Sequence, residues 1–79
     1  MHMYTHEIGV ADLGFHERVQ RSADINRQMR DYFGRSESRR PNDRPGTYQW
    51  VVSLDDRKDR ILVRVRYPKM LTLAALIVV

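Results

Sequence analysis

The sequence predicts a small α+β domain in which a small antiparallel sheet packs against one amphipathic helix. Three observations support this prediction. Residues 48–67 alternate apolar and polar side chains around a charged centre, as in a half-buried hairpin. Residues 15–33 repeat apolar side chains every three or four positions, as in a helix with one buried face. The chain has 79 residues, which suits a single domain spanning 1–79.

The first element is predicted to be a strand near the N-terminus. Its odd-numbered positions carry small or polar side chains, and its even-numbered positions are mostly apolar or aromatic. We therefore expect the even-numbered residues to share one side of the sheet. They are Tyr4, His6, Ile8 and Val10.

An amphipathic helix is predicted to follow. Asp12 or Gly14 can cap its start, and Gly34 suits the left-handed position that often ends a helix. At about 100° per residue, the apolar side chains fall on one stripe, which we expect to pack against the sheet. The stripe consists of Phe15, Val19, Ser22, Ile25, Met29 and Tyr32, with Phe33 beside them.

A long basic loop, Arg35 to Gly46, is predicted between the helix and the hairpin. It contains two prolines and no large apolar residue, so it has nothing to bury. We expect this loop, residues 35–46, to be the mobile part of the domain. A loop of this length in a small domain is either functional or merely loose, and the sequence leaves both alternatives open.

The hairpin pattern predicts a register. If Arg57 and Lys58 lie at the centre of the turn, residues whose numbers add to 115 face each other. One face is then apolar throughout, and we expect it to lie under the helix. Its residues are Tyr48, Trp50, Val52, Leu54, Ile61, Val63, Val65 and Tyr67.

Met70 to Val79 is predicted to be the third strand of a meander, after a turn at Pro68. Leucine and alanine favour a helix here, whereas Ile77, Val78 and Val79 favour a strand. Such a strand would show apolar side chains on both faces, and one helix covers only one face of a sheet. We therefore expect a protein partner, or a second copy in a homodimer, to cover the second face. The expected contacts are Val51, Leu62, Arg64, Arg66, Leu71 and Leu73.

The chain is basic, with a formal charge of +4 and an isoelectric point near 10.0. Twelve of its 14 basic residues are arginine, a side chain suited to phosphates and carboxylates. Nucleic acid is therefore a second kind of expected partner. The alternative is that the arginines only solubilise the loop and protect the strands from aggregation. The candidate nucleic-acid contacts are Arg39, Arg40, Arg44, Arg57, Lys58, Arg60, Arg64 and Arg66.

No catalytic constellation, metal-ligand cluster or phosphate-binding loop stands out, so we predict neither an enzyme nor a cofactor or metal. The three histidines, His2, His6 and His16, are interpreted as ordinary surface residues. No signal sequence is visible, and the apolar C-terminal segment is about half as long as a membrane span. A cytoplasmic location without membrane contact is therefore expected.

Two segments resemble a known family. Gly46-Thr-Tyr-Gln-Trp and Ile61-Leu-Val-Arg-Val-Arg-Tyr are similar in pattern to the C-terminal sheet of the RelE/ParE-like toxins. The resemblance, which covers less than half of the chain, implies a small sheet against helices and, in some members, RNA cleavage by basic and aromatic residues near the C-terminus. The chain lacks an evident pair of N-terminal helices and ends in Leu-Ile-Val-Val, so it is not assigned to the family.

The leading functional prediction is a non-enzymatic protein-binding module of the inhibitor or adaptor kind, as encoded by phages and mobile elements. It would act through the second face of its sheet. A nucleic-acid-binding protein that uses the arginines is the alternative, and a small RelE/ParE-like RNase toxin is a further one. The placement among phage and mobile-element proteins rests on small size and the lack of motifs.

Overall fold

The computed structural model describes residues 3–38, 40, 42–44 and 46–78. Three antiparallel strands and two helices form a small α+β fold, which confirms the predicted class. A short 3₁₀ turn, Asp56–Lys58, joins the second strand to the third. In chain order the elements are strand β1 (Tyr4–Gly9), helix α1 (Phe15–Phe33), strand β2 (Trp50–Asp55), strand β3 (Arg60–Val65) and helix α2 (Pro68–Ile77).

The strands are ordered β1-β3-β2, and each neighbouring pair is antiparallel. β3 is therefore the central strand, and the two edges of the sheet belong to β1 and β2. His6 of β1 lies opposite Val63 of β3, although the helix, the loop and half of the hairpin separate them in sequence. The N-terminal strand thus completes a sheet that the hairpin begins.

The predicted register of the hairpin is confirmed along both strands. Tyr48 and Tyr67 lie outside the ladder, because Tyr48 bridges to Glu37 and Tyr67 precedes α2. The prediction that Tyr48 lies under the helix is wrong, since this residue is 48% exposed. Pro68 has no N–H to donate, so the ladder cannot continue there. The pairs on the apolar side are Trp50 with Val65, Val52 with Val63, and Leu54 with Ile61.

Helix α1 starts after Gly14, one of the two caps that the sequence offered, and ends at Gly34, as predicted. Gly34 has a φ of 80°, in the left-handed region that favours glycine. Ile25 and Met29 are fully buried against the sheet. The predicted burial of the apolar stripe is therefore confirmed for the residues at its centre and wrong for those at its margins. The members that the structure leaves exposed are Phe15, Val19 and Tyr32.

The segment after Pro68 is helix α2, so the predicted third strand from Met70 to Val79 is wrong. Pro68 occupies the first turn, where the preset φ of proline suits a helix and its missing N–H is not needed. Met70 and Ala74 lie one turn apart and are both buried. Three strands at about 4.8 Å spacing make a face wider than one helix of about 10 Å, so a second helix is needed there. Val79 lies outside the described residues.

Both helices pack on the same side of the sheet, and all five elements share one core. Leu71 and Ile77 of α2 are partly buried against it. The opposite face of the sheet carries no helix in the described part of the chain. The buried core residues are Val10, Ile25, Met29, Trp50, Ile61, Val63, Val65, Met70, Ala74 and Val78.

The loop 35–46 is attached to the body of the protein at several points. The Ser38 N–H donates to the Thr47 carbonyl at 2.6 Å, and the Gln49 N–H donates to the Ser36 carbonyl at 2.7 Å. The start of the loop therefore runs back along the residues that precede β2. These contacts do not test mobility, which stays a prediction.

Candidate interaction surfaces

The uncovered side of the sheet, which we call the open face, presents alternate side chains of all three strands. Three of the predicted partner contacts, Val51, Leu62 and Arg64, lie together on it. Leu71 and Leu73 lie instead on α2, on the covered side, because their segment is a helix. The open-face residues are Thr5, Glu7 and Gly9 of β1, Val51, Ser53 and Asp55 of β2, and Arg60, Leu62 and Arg64 of β3.

The open face is not the continuous apolar surface that the sequence predicted. Leu62 at its centre is only 6% exposed, yet it does not belong to the core cluster. Its cross-strand neighbours are Glu7 and Ser53, so strand side chains rather than a helix shield it. Val51 is half-buried. The apolar part of this face is thus a small centre within a polar rim.

Arg60, on the open face, is already paired with two carboxylates. Its Nε donates to Oδ2 of Asp55 at 3.0 Å, and its Nη1 donates to Oε1 of Glu7 at 2.5 Å. The hydrogen bond to Asp55, with the negative charge of Glu7, raises the pKa of Arg60 above its ordinary value. Both outer strands therefore hold this guanidinium across the central strand, and it has little capacity for another anion.

Arg64 is the exception on this face. It is exposed, and its cross-strand neighbours are the uncharged residues Thr5 and Val51. Among the described residues, none forms an ion pair with it. Its guanidinium is therefore available to a carboxylate or a phosphate from outside the chain.

Arg66, two residues beyond Arg64, is held by the loop. Its Nη1 and Nη2 donate to Oδ2 and Oδ1 of Asp43 at 2.7 and 3.0 Å. The Ser38 hydroxyl donates to the same carboxylate. The hydrogen bonds from Arg66 and then from Ser38 lower the pKa of Asp43 to about 2. This Asp43–Arg66 clamp ties the loop to the end of β3 and occupies a predicted partner contact.

A cleft of about 710 Å³ lies where the loop meets the end of the sheet, with Phe33, Arg40 and Tyr67 among its walls. The Arg40 guanidinium carbon lies 4.7 Å from the centroid of the Tyr67 ring, and that of Arg66 lies 5.7 Å from it. These are cation–π distances. The Tyr67 ring is therefore engaged by arginine and poorly placed to stack on a base.

The predicted nucleic-acid contacts do not form one continuous basic surface. The loop and the 3₁₀ turn lie at opposite ends of six-residue strands, about 20 Å apart at 3.4 Å per residue. Arg60 and Arg66, which lie between them, are paired with carboxylates. Arg39 lies outside the described residues. Arg40 lies close enough to Asp43 for its charge to lower the pKa of that carboxyl. Of the remaining predicted contacts, those without a described carboxylate partner are Arg44 in the loop, Arg57 and Lys58 on the turn, and Arg64 on the open face.

Sequence reasoning missed one surface, the free edge of β2 beside α1. Phe15 and Val19 are exposed on the flank of α1, and Val19 lines a groove along that edge. The helical periodicity assigned both side chains to the core. The sequence from Trp50 to Leu54 has no charged side chain of the kind that protects an exposed strand edge. This pattern indicates an unprotected edge only once the strand order shows that β2 lies at the edge of the sheet.

Fold and surfaces together define a small α+β domain in which the described residues leave one face of the sheet uncovered. Within the described residues, no group of three potential metal ligands comes together; His2 lies outside them. The helices that these residues form are too short or too polar to cross a membrane. Comparison with protein-family models, curated proteins and solved structures finds no match for this chain.

Proposed function

We propose that this chain is a non-enzymatic protein-binding module that uses the open face of its sheet. The observation that carries the proposal is the exposed guanidinium of Arg64, unpaired among the described residues, on the central strand of a face without a helix. Arginine is enriched at protein interfaces, where a polar rim commonly surrounds an apolar centre. Half-buried Val51 supplies the exposed part of that centre, since Leu62 is only 6% exposed.

The neighbouring charges restrict the chemistry of the partner. Glu7 and Asp55 engage Arg60, and Asp43 engages Arg66, so among the described residues the open face offers one free cation rather than a broad positive field. The complementary surface therefore carries a carboxylate next to small apolar side chains. The carboxylate pairs with Arg64 while the apolar groups cover Val51.

A photo-crosslinking amino acid at Ser53 tests the proposal in cells that naturally contain the chain. We expect one discrete crosslinked protein other than the chain itself, identified by mass spectrometry, and its loss when Arg64→Glu is added. Gln20, exposed on α1, is the positional control for the crosslinker. Lys69→Glu, at an exposed position on α2, is the charge control. Equal crosslinking from both positions, or insensitivity to Arg64→Glu, contradicts the proposal.

Nucleic-acid binding is the second candidate, favoured by the exposed cations of the loop, the turn and the open face. A gel shift with a labelled random-sequence oligonucleotide at low and high salt tests it. Replacing Arg40 and Arg44 together with glutamine should weaken binding of all sequences and flatten its salt dependence. Arg66 is kept in this variant, because its loss would also release the clamp. Absence of any shift at low salt removes this candidate.

The RelE/ParE-like alternative receives no support from the described chain. The resemblance implies a pair of N-terminal helices, whereas a single helix, α1, precedes the hairpin in the described residues. An RNase of that kind is therefore not proposed.

A further inference from the structure

The outer edge of β2 carries backbone groups that no described residue pairs. The Arg66 N–H donates to the Gln49 carbonyl at 2.9 Å, and these two residues continue the register of the hairpin. Antiparallel ladders alternate, so the odd-numbered residues of β2 direct their N–H and C=O groups toward β3. The even-numbered residues direct theirs away from the sheet. They are Trp50, Val52 and Leu54.

This edge borders a groove of about 340 Å³ between β2 and α1. The backbone hydrogen bonds of loop residues 36–38 are made to 47–49, and Ser36 also borders a small pocket with Trp50 and Val52 at the start of the strand. The groove continues the covered side of the sheet outward, beneath the flank of α1. Its walls are Val19, Ser22, Ala23, Asn26, Val52 and Leu54.

The two edges of the sheet differ in protection. Exposed edges in natural proteins are commonly guarded by charged side chains, proline or bulges. On β1, the residues whose backbone faces outward include Glu7 and Gly9. On β2, the outward residues are all apolar, and the pairing with β3 has no bulge. The β2 edge is therefore suited to accept another strand.

The flank of α1 above this edge is also apolar and uncovered. Phe15 is 65% exposed and Val19 is 45% exposed, and one helical turn separates them. Tyr32 is 58% exposed, but the helical repeat places it on the opposite flank. The unpaired strand and the uncovered apolar side chains thus lie next to each other.

We propose that a second copy of this chain docks on this edge, with the two β2 strands antiparallel and a two-fold axis at Val52. The outward residues are arranged symmetrically about Val52, so Trp50 of each copy meets the partner's Leu54. All outward N–H and C=O groups of Trp50, Val52 and Leu54 then find partners, which makes the edge complementary to itself. The inference is independent of the open face.

The charges and helices fit the same arrangement. Asp55, the one charged residue of β2, lies beyond the last pair of the new ladder, so no like charges face each other across it. The two α1 helices lie antiparallel on the covered side of a six-stranded sheet, and antiparallel helix dipoles attract. Val19 of each copy is then covered by the α1 flank of the other.

The absence of cysteine allows a test of this register. In the proposed pairing, Val51 faces the partner's Ser53 in a non-hydrogen-bonded pair, with Cα atoms about 4.5 Å apart, within disulfide range. Mixing Val51→Cys with Ser53→Cys chains should give mainly the mixed disulfide, and each variant alone should oxidise several-fold more slowly. A mixture of Thr5→Cys with Ser53→Cys, both open-face positions, is the control and should stay reduced. Lack of preference for the mixed disulfide overturns the register.

Analytical ultracentrifugation tests the association itself. The wild-type chain should sediment at twice its 9.4 kDa mass. Val19→Glu should give a monomer, whereas Tyr32→Glu, on the other flank, should remain a dimer. Val52→Pro removes an N–H that the fold does not use, so it should give a folded monomer by circular dichroism. A monomeric wild type, or a dimer that survives Val19→Glu, overturns the proposal even if Val52→Pro fails to fold.

Discussion

The two faces of the central strand differ in kind, although neighbouring residues build them. Val63 is completely buried beneath the helices, and Leu62 on the open face is 6% exposed. Low accessibility alone would assign both to the core, yet only Val63 belongs to the core cluster. A strand residue can thus be shielded either by a packed helix or by the side chains of adjacent strands. Only the first kind of burial holds the two layers of this fold together.

An aspartate substitution on each face of the central strand is the strongest test of this difference. Val63→Asp should abolish cooperative unfolding, because an unpaired charge in the core costs more than a small domain can lose. Leu62→Asp should leave a folded chain, because its carboxylate can reach water and the neighbouring arginines. Thermal melts followed by circular dichroism measure both. If Leu62→Asp unfolds the chain and Val63→Asp is tolerated, the two faces are assigned the wrong way round.

Truncating a helix side chain on the covered side should have the next largest effect. Met29→Ala removes a fully buried side chain and should lower the free energy of unfolding by about 2–5 kcal/mol. Leu76→Ala, at an exposed position of α2, is the matched control and should change it by less than about 0.5 kcal/mol. Urea titrations provide the values. Equal losses would mean that α1 does not anchor the covered face as described.

The end of the open face should respond to acid through the Asp43–Arg66 clamp. The pKa of Asp43 is lowered from 3.8 to about 2, so the folded chain favours the ionised carboxylate. Its contribution to stability is therefore complete above about pH 3.8 and is lost as the pH falls through about 2. Asp43→Asn should lower the urea midpoint at neutral pH and converge with wild type in strong acid. Asp31→Asn, an exposed change on α1, should leave the midpoint unchanged at both pH values.

Limited trypsin digestion tests the loop that the clamp restrains. We expect the first cleavage at Arg39, Arg40 or Arg44, because this segment has few apolar anchors. Asp43→Asn should accelerate that cleavage several-fold, since it removes the attachment to Arg66. Primary cleavage within α1 would contradict the assignment of the loop as the most mobile segment.

The smallest expected effect on stability comes from the exposed cation of the open face. Arg64→Gln should change the free energy of unfolding by less than about 0.5 kcal/mol, because the side chain has no charged partner among the described residues. A urea titration measures the change. A decrease of several kcal/mol in the free energy of unfolding would show that Arg64 stabilises the fold and is not reserved for binding a partner.

The local elements that the sequence predicted correctly share a physical cause. The hairpin register follows from strict two-residue alternation, because a slip by one residue would move Val52 and Val63 to the wrong face. The ends of α1 follow from Gly14 and Gly34, which flank an otherwise uninterrupted helical run. These signals act between near neighbours, so the sequence displays them directly.

The C-terminal helix and the exposed flank of α1 were harder to predict. Leucine and alanine in α2 compete with the β-branched residues after Leu76, and propensities this weak do not decide the outcome. The area of the sheet that must be covered decides that this segment is a helix, because α1 alone leaves β1 and part of β3 uncovered. Leu71 and Leu73 then lie on α2 instead of the open face, and Phe15 and Val19 of α1 remain exposed. The candidate site could therefore be predicted only in its hairpin residues, Val51, Leu62 and Arg64.

The sequence by itself determined which residues share a side of each element, since backbone geometry repeats every two residues in strands and every 3.6 in helices. Only the tertiary structure decided that β1 joins β3, that both helices lie on one side, and that β2 is left with a free edge. These choices depend on contacts between residues far apart in the chain. They also placed Asp43 against Arg66 and left Arg64 without a charged partner among the described residues. Periodicity carries no information about such distant pairings, because it is set by each residue's nearest neighbours.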